Sequence, residues 1–230
     1  MSITLAFDVY GTLINTDNVM VILEKHVGTK ALEFSRTWRD KQLEYSFRRG
    51  LMQNYENFAV CISNALDYTA AYFKLPLGQK DKEELIAAYK VLPAFYDVEV
   101  GLARAQKAGF RMFAFSNGIV DDVEALLKNA NIRDYFIGVV SVDEIKSYKP
   151  SPSVYSHFIR RSGAPKANTW LVSSNPFDVI GAIYSGMRAA WIKRSPDALF
   201  DPWEIEPTLT IDSLSNLTEQ ITQYCNFIYG

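Results

Sequence analysis

The chain has 230 residues, 48% of them apolar and 22% charged, with 24 Lys and Arg against 26 Asp and Glu for a formal net charge of −2. That is enough chain for one or two domains with a sizeable core, and it is too long for a disulfide-stapled miniature and too apolar for a disordered segment. The charge balance leaves no basic excess for phosphate backbones, so nucleic acid is not an expected partner.

Residues 3–7, from Ile3 to Phe7, form a short, almost continuously apolar run stopped by Asp8 and followed by Gly11. Such a run suits a strand covered on both faces, in the middle of a parallel sheet. From about Asn18 to Tyr89 nothing reads as a strand. Aromatics instead recur at helical spacing: Phe34, Trp38 and Tyr45; Tyr55, Phe58 and Ile62; Tyr68 and Tyr72. This predicts an all-helical cap domain over 16–93, inserted after the first strand of a core made of 1–15 and 94–230. A helix over 98–108 follows Asp97 as its expected N-cap and ends before Gly109. Residues 111–115 repeat the strand signature and stop at Ser116-Asn117-Gly118. A helix over 120–129, a strand over 135–142, a helix over 153–162 and a strand over 169–172 follow, the last stopping at Ser173-Ser174-Asn175. Pro176 suits the first turn of a helix over 177–185. A fifth strand is expected over 189–192, and the proline-containing stretch 196–207 reads as a surface connection. Strand alternating with helix predicts an α/β fold with a doubly wound, Rossmann-like parallel sheet.

In open parallel sheets, ligands sit beyond the carboxyl ends of the strands. The first strand delivers Asp8, Tyr10 and Thr12 there, and the second delivers Ser116 and Asn117. The loop after the third delivers Lys149, just before Pro150, and the fourth delivers Ser173, Asn175 and Asp178. Each residue alone is an ordinary strand end. Together they converge two carboxylates, one ammonium and several hydroxyl and amide groups.

These residues also carry a resemblance. Asp8-Val9-Tyr10-Gly11-Thr12-Leu13, Ser116-Asn117-Gly118, Lys149-Pro150 and Ser173-Ser174-Asn175-Pro176-Phe177-Asp178 resemble the four motifs of the haloacid dehalogenase (HAD) superfamily. More narrowly, they resemble those of the L-2-haloacid dehalogenases (type II). The likeness runs over essentially the whole chain, and Trp38 to Tyr45 resembles that group's cap helix. Two features favour the narrower group on chemical grounds. Most superfamily members are Mg²⁺-dependent phosphotransferases with a second Asp two residues after the nucleophile; here Tyr10 stands there, a poor proton donor to a leaving alkoxide near neutral pH. Ser173 and Ser174 also stand where further acids would help hold a metal. A hard cation wants several oxygens and usually more than one carboxylate, so Asp8 and Asp178 make a thin site and none for a metal or other cofactor is expected.

The resemblance implies hydrolytic dehalogenation of short (S)-2-haloacids to (R)-2-hydroxyacids through an ester on Asp8. Lys149 would keep Asp8 ionised, Thr12 and Ser173 would orient its carboxylate, and Asp178 would serve as base for a water placed by Asn175. Tyr155 is carried over as a hydroxyl supporting Lys149. Backbone N–H groups near Val9, Tyr10, Ser116 and Asn117 would bind the substrate carboxylate, with the Ser116 hydroxyl. Arg39, Asn117 and Phe177 would surround the departing halide, a weakly hydrated guanidinium suiting that anion. Leu43 and Phe58 are candidates for lining an apolar pocket for the alkyl group. The alternatives are a Mg²⁺-dependent small-molecule phosphatase of the same superfamily and a non-catalytic module, the latter disfavoured because burying unused charges is costly.

On a helix the i±3 and i±4 neighbours of Arg39 are Ser35, Arg36, Gln42 and Leu43, none acidic, so it has no local partner. Arg36 is expected to pair with Asp40. Cys61 and Cys225 form no CxxC, and with His26 and His157 they are assigned to structure or surface. No apolar stretch approaches the roughly 18 residues that span a bilayer, and no leader pattern opens the chain. A reduced, cytoplasmic protein that does not engage membranes is expected, and the resemblance implies a homodimer.

Overall fold

The computed structural model describes residues 2–229. Six strands make one sheet: β1 (Thr4–Phe7), β2 (Arg111–Ser116), β3 (Gly138–Ser141), β4 (Thr169–Ser173), β5 (Arg188–Ile192) and β6 (Leu209–Ile211). Their order is β3-β2-β1-β4-β5-β6, with every pairing parallel. β1 is central, paired with β2 through Leu5 opposite Met112 and with β4 through Leu5 opposite Trp170. All four of its side chains are buried, as its unbroken apolar run requires. The order reverses direction at β1, so the crevice outside its carboxyl end is where such a sheet binds ligands.

Between β1 and β2 lie α1 (Met20–Val27), α2 (Ala31–Leu51), α3 (Phe58–Tyr72), α4 (Gln79–Tyr89) and α5 (Val98–Lys107). The aromatics expected at helical spacing hold this segment together. Trp38 is fully buried and donates from Nε1 to the Ile62 carbonyl at 2.9 Å, tying α2 to α3; its ring meets Tyr89 of α4 at 4.9 Å. The segment touches residues beyond the strands' carboxyl ends. Phe58 meets Tyr10, Phe47 meets Phe177, and the Tyr55 hydroxyl donates to Asp143 at 2.8 Å. The helices therefore sit over the edge to which the strands deliver their polar residues. The two connecting stretches run together, with Asn15 N donating to Pro93 O at 2.9 Å and Phe95 N to Leu13 O at 3.0 Å.

The remaining helices are α6 (Val120–Asn129), α7 (Pro152–Ser162), α8 (Pro176–Tyr184) and α9 (Leu217–Tyr229). Pro152 and Pro176 each open their helix, where a missing N–H is harmless. Four expectations need correction. The third strand is shorter than 135–142, because 3-10 turns at Arg133–Tyr135 and Val142–Ile145 take its ends; the Ser141 hydroxyl accepts from Asp143 N at 3.1 Å and opens the second turn. Asp97 does not cap α5 with its side chain, which is engaged by Arg194 and by the backbone N–H of Leu214. Arg36 and Asp40 form no ion pair among the described residues; both are exposed and solvated along one cleft. β6 and α9 were not foreseen. No helix among the described residues is long and apolar enough to cross a membrane.

Candidate active site

Asp8 follows β1 directly, and its amide continues the sheet by donating to the Val172 carbonyl at 3.0 Å. The chain then turns tightly. Gly11 adopts φ +80°, a conformation that disfavours any residue with a Cβ, and the N–H groups of Thr12, Leu13 and Ile14 all donate to the Val9 carbonyl. This turn brings the Thr12 hydroxyl back onto Asp8 Oδ2 at 2.8 Å. From the end of β4, Ser173 Oγ donates to the same oxygen at 3.2 Å and Asn175 Nδ2 at 2.7 Å. Oδ2 therefore has three donors. Oδ1 has one, the Lys149 ammonium at 3.1 Å.

Lys149 bridges the two carboxylates, reaching Asp178 Oδ2 at 2.8 Å and the Phe115 carbonyl at 2.8 Å, with Nζ lying 4.2 Å from the centroid of the Phe115 ring. Its side chain is 2% exposed and that of Asp178 is 1% exposed, so solvent does not compensate these charges. Burial works against the ammonium, but the flanking carboxylates of Asp178 and Asp8 outweigh it and hold Lys149 above its ordinary value. Burial pushes Asp178 up, against the pull of Lys149. Tyr155 donates to Asp178 Oδ1 at 2.7 Å, and burial, together with that carboxylate, holds its phenol well above the usual range. Gly181 makes this fit: a Cβ there would lie 2.5 Å from the Tyr155 hydroxyl and 2.8 Å from Pro150.

The expected residues thus fall into three groups. Asp8, Thr12, Lys149, Tyr155, Ser173, Asn175 and Asp178 form one connected hydrogen-bond network. Ser116 and Asn117 lie beside it, buried. Asn117 Oδ1 accepts from Lys149 N at 3.1 Å, and Ser116 Oγ accepts from Gly118 N at 3.0 Å. Among the described residues the loop amides of Val9, Tyr10 and Asn117 donate to no protein acceptor, which leaves N–H groups for an anion. The third group comes from α2, α3 and α8. Arg39 holds Gln42 Oε1 and the Tyr10 carbonyl only at 3.4 and 3.5 Å, so its charge is not committed to an acid. Phe177 packs edge-on against Phe47 with centroids 5.0 Å apart. Leu43 is half-buried on α2, one turn from Arg39. Phe58 lines a small cavity with Tyr10, Ile62 and Tyr89. Burial and the nearby Asp122 raise the Tyr10 phenol above its ordinary value, making it a still poorer acid.

Some participants were not legible in the sequence. Ser174 N donates to Thr12 Oγ1 and its hydroxyl to the Gly11 carbonyl, both at 2.8 Å; its place between Ser173 and Asn175 was the available signal. Phe47 lies on the same face of α2 as Leu43, four residues on, and that spacing could have paired it with Phe177. Cys61 is buried beside the Tyr148 hydroxyl, and His26 and His157 face acids, in keeping with structural roles. No cluster of three or more His, Cys, Asp or Glu side chains able to hold a metal occurs among the described residues.

Comparison with known proteins places these observations. An (S)-2-haloacid dehalogenase of Pseudomonas fluorescens is 34% identical over 212 residues, covering 92% of this chain and 93% of that protein. Haloacetate dehalogenase H-2 of Moraxella sp. (strain B) is 33% identical over 217 residues, covering 94% and 96%. The fold is similar to the L-2-haloacid dehalogenase of Xanthobacter autotrophicus solved with chloropropionic acid covalently bound, with a TM-score of 0.90, 28% identity, and coverage of 96% and 99%. Residues 4–186 match the sequence profile of the haloacid dehalogenase-like hydrolases. With that match spanning most of the sheet and the whole Asp8 network, the chain belongs to the haloacid dehalogenase-like hydrolase family.

Proposed function

We propose that the protein hydrolyses the carbon–halogen bond of short (S)-2-haloacids, with Asp8 as nucleophile and residues 16–93 as a cap domain over the core of 1–15 and 94–230. The observation that carries this reading is the unequal dress of the Asp8 carboxylate. Oδ2 is held by Thr12, Ser173 and Asn175, while among the described residues Oδ1 meets only Lys149 and keeps a lone pair for attack.

The chemistry follows from that asymmetry. Oδ1 attacks C2 of the substrate in line with the halogen; a C–O bond forms, the halide leaves with the bonding pair, and C2 inverts. No proton is needed by the leaving group, which suits a site whose second position is Tyr10 rather than an acid. Phosphate ester hydrolysis would need a donor there, and the raised Tyr10 phenol is an unsuitable one. The free amides of Val9, Tyr10 and Asn117, with the Ser116 hydroxyl, hold the substrate carboxylate. Arg39 and Phe177, with Asn117, receive the halide, and Leu43 faces the alkyl group.

The ester is then hydrolysed. Water adds to the Asp8 carbonyl carbon and gives its proton to Asp178, a buried carboxylate whose raised affinity for protons suits a base. Negative charge develops on Oδ2, already facing three donors that serve as an oxyanion hole. Collapse breaks the bond from that carbon to Oδ1, which departs attached to C2. The alkoxide recovers the proton from Asp178 and leaves as the (R)-2-hydroxyacid. Asp8 is left as a carboxylic acid with one oxygen from water, and it is restored to the carboxylate when the second proton of that water is lost to solvent. The fixed ammonium of Lys149, donating hydrogen bonds to both carboxylates, supplies the cationic stabilisation.

Halide release from (S)-2-chloropropionate tests the reading. Release is expected from that enantiomer, undiminished by EDTA, and absent in Asp8→Ala. Hydrolysis of phosphate esters that needs added Mg²⁺, with no halide released, would overturn it. A homodimer is carried forward from the resemblance and a cytoplasmic location from the character of the sequence; sedimentation of the purified protein tests the first.

A further inference from the structure

Outside the Asp8 network, another ion pair is almost as deeply buried. Arg194, just past β5, is 13% exposed and Asp97, just before α5, is 2% exposed. Arg194 Nη1 donates to both Asp97 oxygens, at 2.7 and 2.9 Å. Asp97 Oδ2 also accepts from Leu214 N at 2.7 Å and Ser213 Oγ at 3.1 Å, so the carboxylate is fully occupied and cannot swing away. Held in this way, the guanidinium lies 4.1 Å from the centroid of the Phe95 ring, a cation–π contact. Its other two nitrogens converge on one acceptor, the Thr12 carbonyl, with Nε at 3.2 Å and Nη2 at 2.5 Å.

Thr12 is the residue whose hydroxyl orients Asp8. Its carbonyl and hydroxyl belong to the same residue of a tight turn, so fixing one restricts the other. Arg194 also engages both stretches that join the helical segment to the sheet: the outgoing one through Thr12, the returning one through Phe95 and Asp97. A neutral residue would fill the space but could not hold a carbonyl from two directions while gripping a carboxylate, and Lys lacks the fork.

We propose that Arg194 is a positioning residue for the dehalogenase reaction: clamped by Asp97, it holds the Thr12 carbonyl so that the Thr12 hydroxyl stays aimed at Asp8 Oδ2 through both chemical steps. It touches neither substrate nor the reacting atoms and acts through Thr12. The inference rests on the reading given above, and the experiment separates the two.

The test is a mutant cycle in the full chain, measuring kcat and KM for halide release from (S)-2-chloropropionate in wild type, Arg194→Met, Arg194→Lys, Thr12→Val and the Arg194→Met/Thr12→Val double variant. Arg194→Met is expected to lower kcat about 10- to 100-fold with KM changed less than about threefold, because a small misplacement of the nucleophile is costly while the substrate contacts persist. Arg194→Lys, keeping the charge and one donor, is expected to recover part of that loss. The double variant is expected to fall within about twofold of Thr12→Val alone, since both changes remove the same constraint. Losses that multiply, or an unchanged kcat per folded molecule alongside a lowered unfolding midpoint, would overturn the proposal and leave Arg194 a fold-stabilising residue. Should Arg194→Met not fold, Arg194→Lys combined with Thr12→Val gives the same reading from the same non-additivity. Wild-type protein that releases no halide would instead defeat the dehalogenase reading, whatever Arg194 does.

Discussion

The two buried charge clusters of this molecule are built on opposite plans. At Asp97 and Arg194 the charges match one to one, and the carboxylate is saturated by a guanidinium, a hydroxyl and a backbone N–H. At Asp8, Lys149 and Asp178, two carboxylates share one ammonium, and among the described residues Asp8 Oδ1 has no donor besides that ammonium. A balanced, fully hydrogen-bonded pair fixes geometry. A cluster with surplus negative charge and an open lone pair holds reactivity that its surroundings have not neutralised. The difference separates a clamp from a nucleophile, although both look alike in burial.

Substitutions sharpen this contrast. The largest effect is expected for Asp8→Ala, which removes the nucleophile and should lower turnover by about four orders of magnitude or more while the fold persists; a folded variant that retained turnover would break the contrast at its root. Lys149→Met comes next. It leaves two carboxylates buried together without a counter-charge, so kcat should fall about 10³-fold and stability by roughly 3–5 kcal/mol, measurable by denaturant titration. Asp97→Asn should cost a comparable part of the stability, but without moving the pH dependence of turnover, because its partner guanidinium does not titrate in the working range.

The pH profile itself is the next test. Lys149 is raised in the folded state, so the stability it contributes is complete below its unfolded value of about 10.4 and is lost as pH rises through the higher folded value. Turnover should therefore hold into alkaline solution, its upper limb lying above about 10.4. Asp178 is raised by burial, and as the proposed base it must be ionised to take a proton from water, so the acid limb of ester hydrolysis should lie above the ordinary value of about 3.9. A neutral upper limb would contradict the shared-ammonium arrangement. The smallest effect is expected for Tyr55→Phe. It removes one hydrogen bond to Asp143, between α3's leading loop and the turn after β3, and should lower stability by about 1 kcal/mol with little change in kcat.

The sequence made the Asp8 cluster readable and hid the Asp97 clamp. Asp8 directly follows an apolar run, and Lys149 and Asp178 lie in the stretches that follow β3 and β4, so a parallel sheet gathers all three at one edge. Arg194 follows β5 beside Lys193 and reads as an ordinary solvated charge; its partner lies 97 positions earlier, and Asp97 looked like a helix cap because it precedes α5. β6 was missed because it is three residues long and lies beyond a stretch of prolines and acids. α9 begins directly after a 3-10 turn at Leu214–Asn216 and carries polar residues such as Thr218, Glu219 and Gln220 in its first turn, so its apolar stripe is diluted. Phe47 was hidden for another reason. Its partner Phe177 comes from α8, and only the seating of α2 over the sheet edge brings the two rings together.

A single turnover in heavy-oxygen water, with enzyme in excess over (S)-2-chloropropionate, bears most directly on the Asp8 ester. Mass analysis of the peptide containing Asp8 should find one heavy oxygen in its carboxylate and none in the first 2-hydroxypropionate released. Label entering the product directly, with an unlabelled Asp8, would mean that water attacks C2 itself and that no aspartyl ester forms.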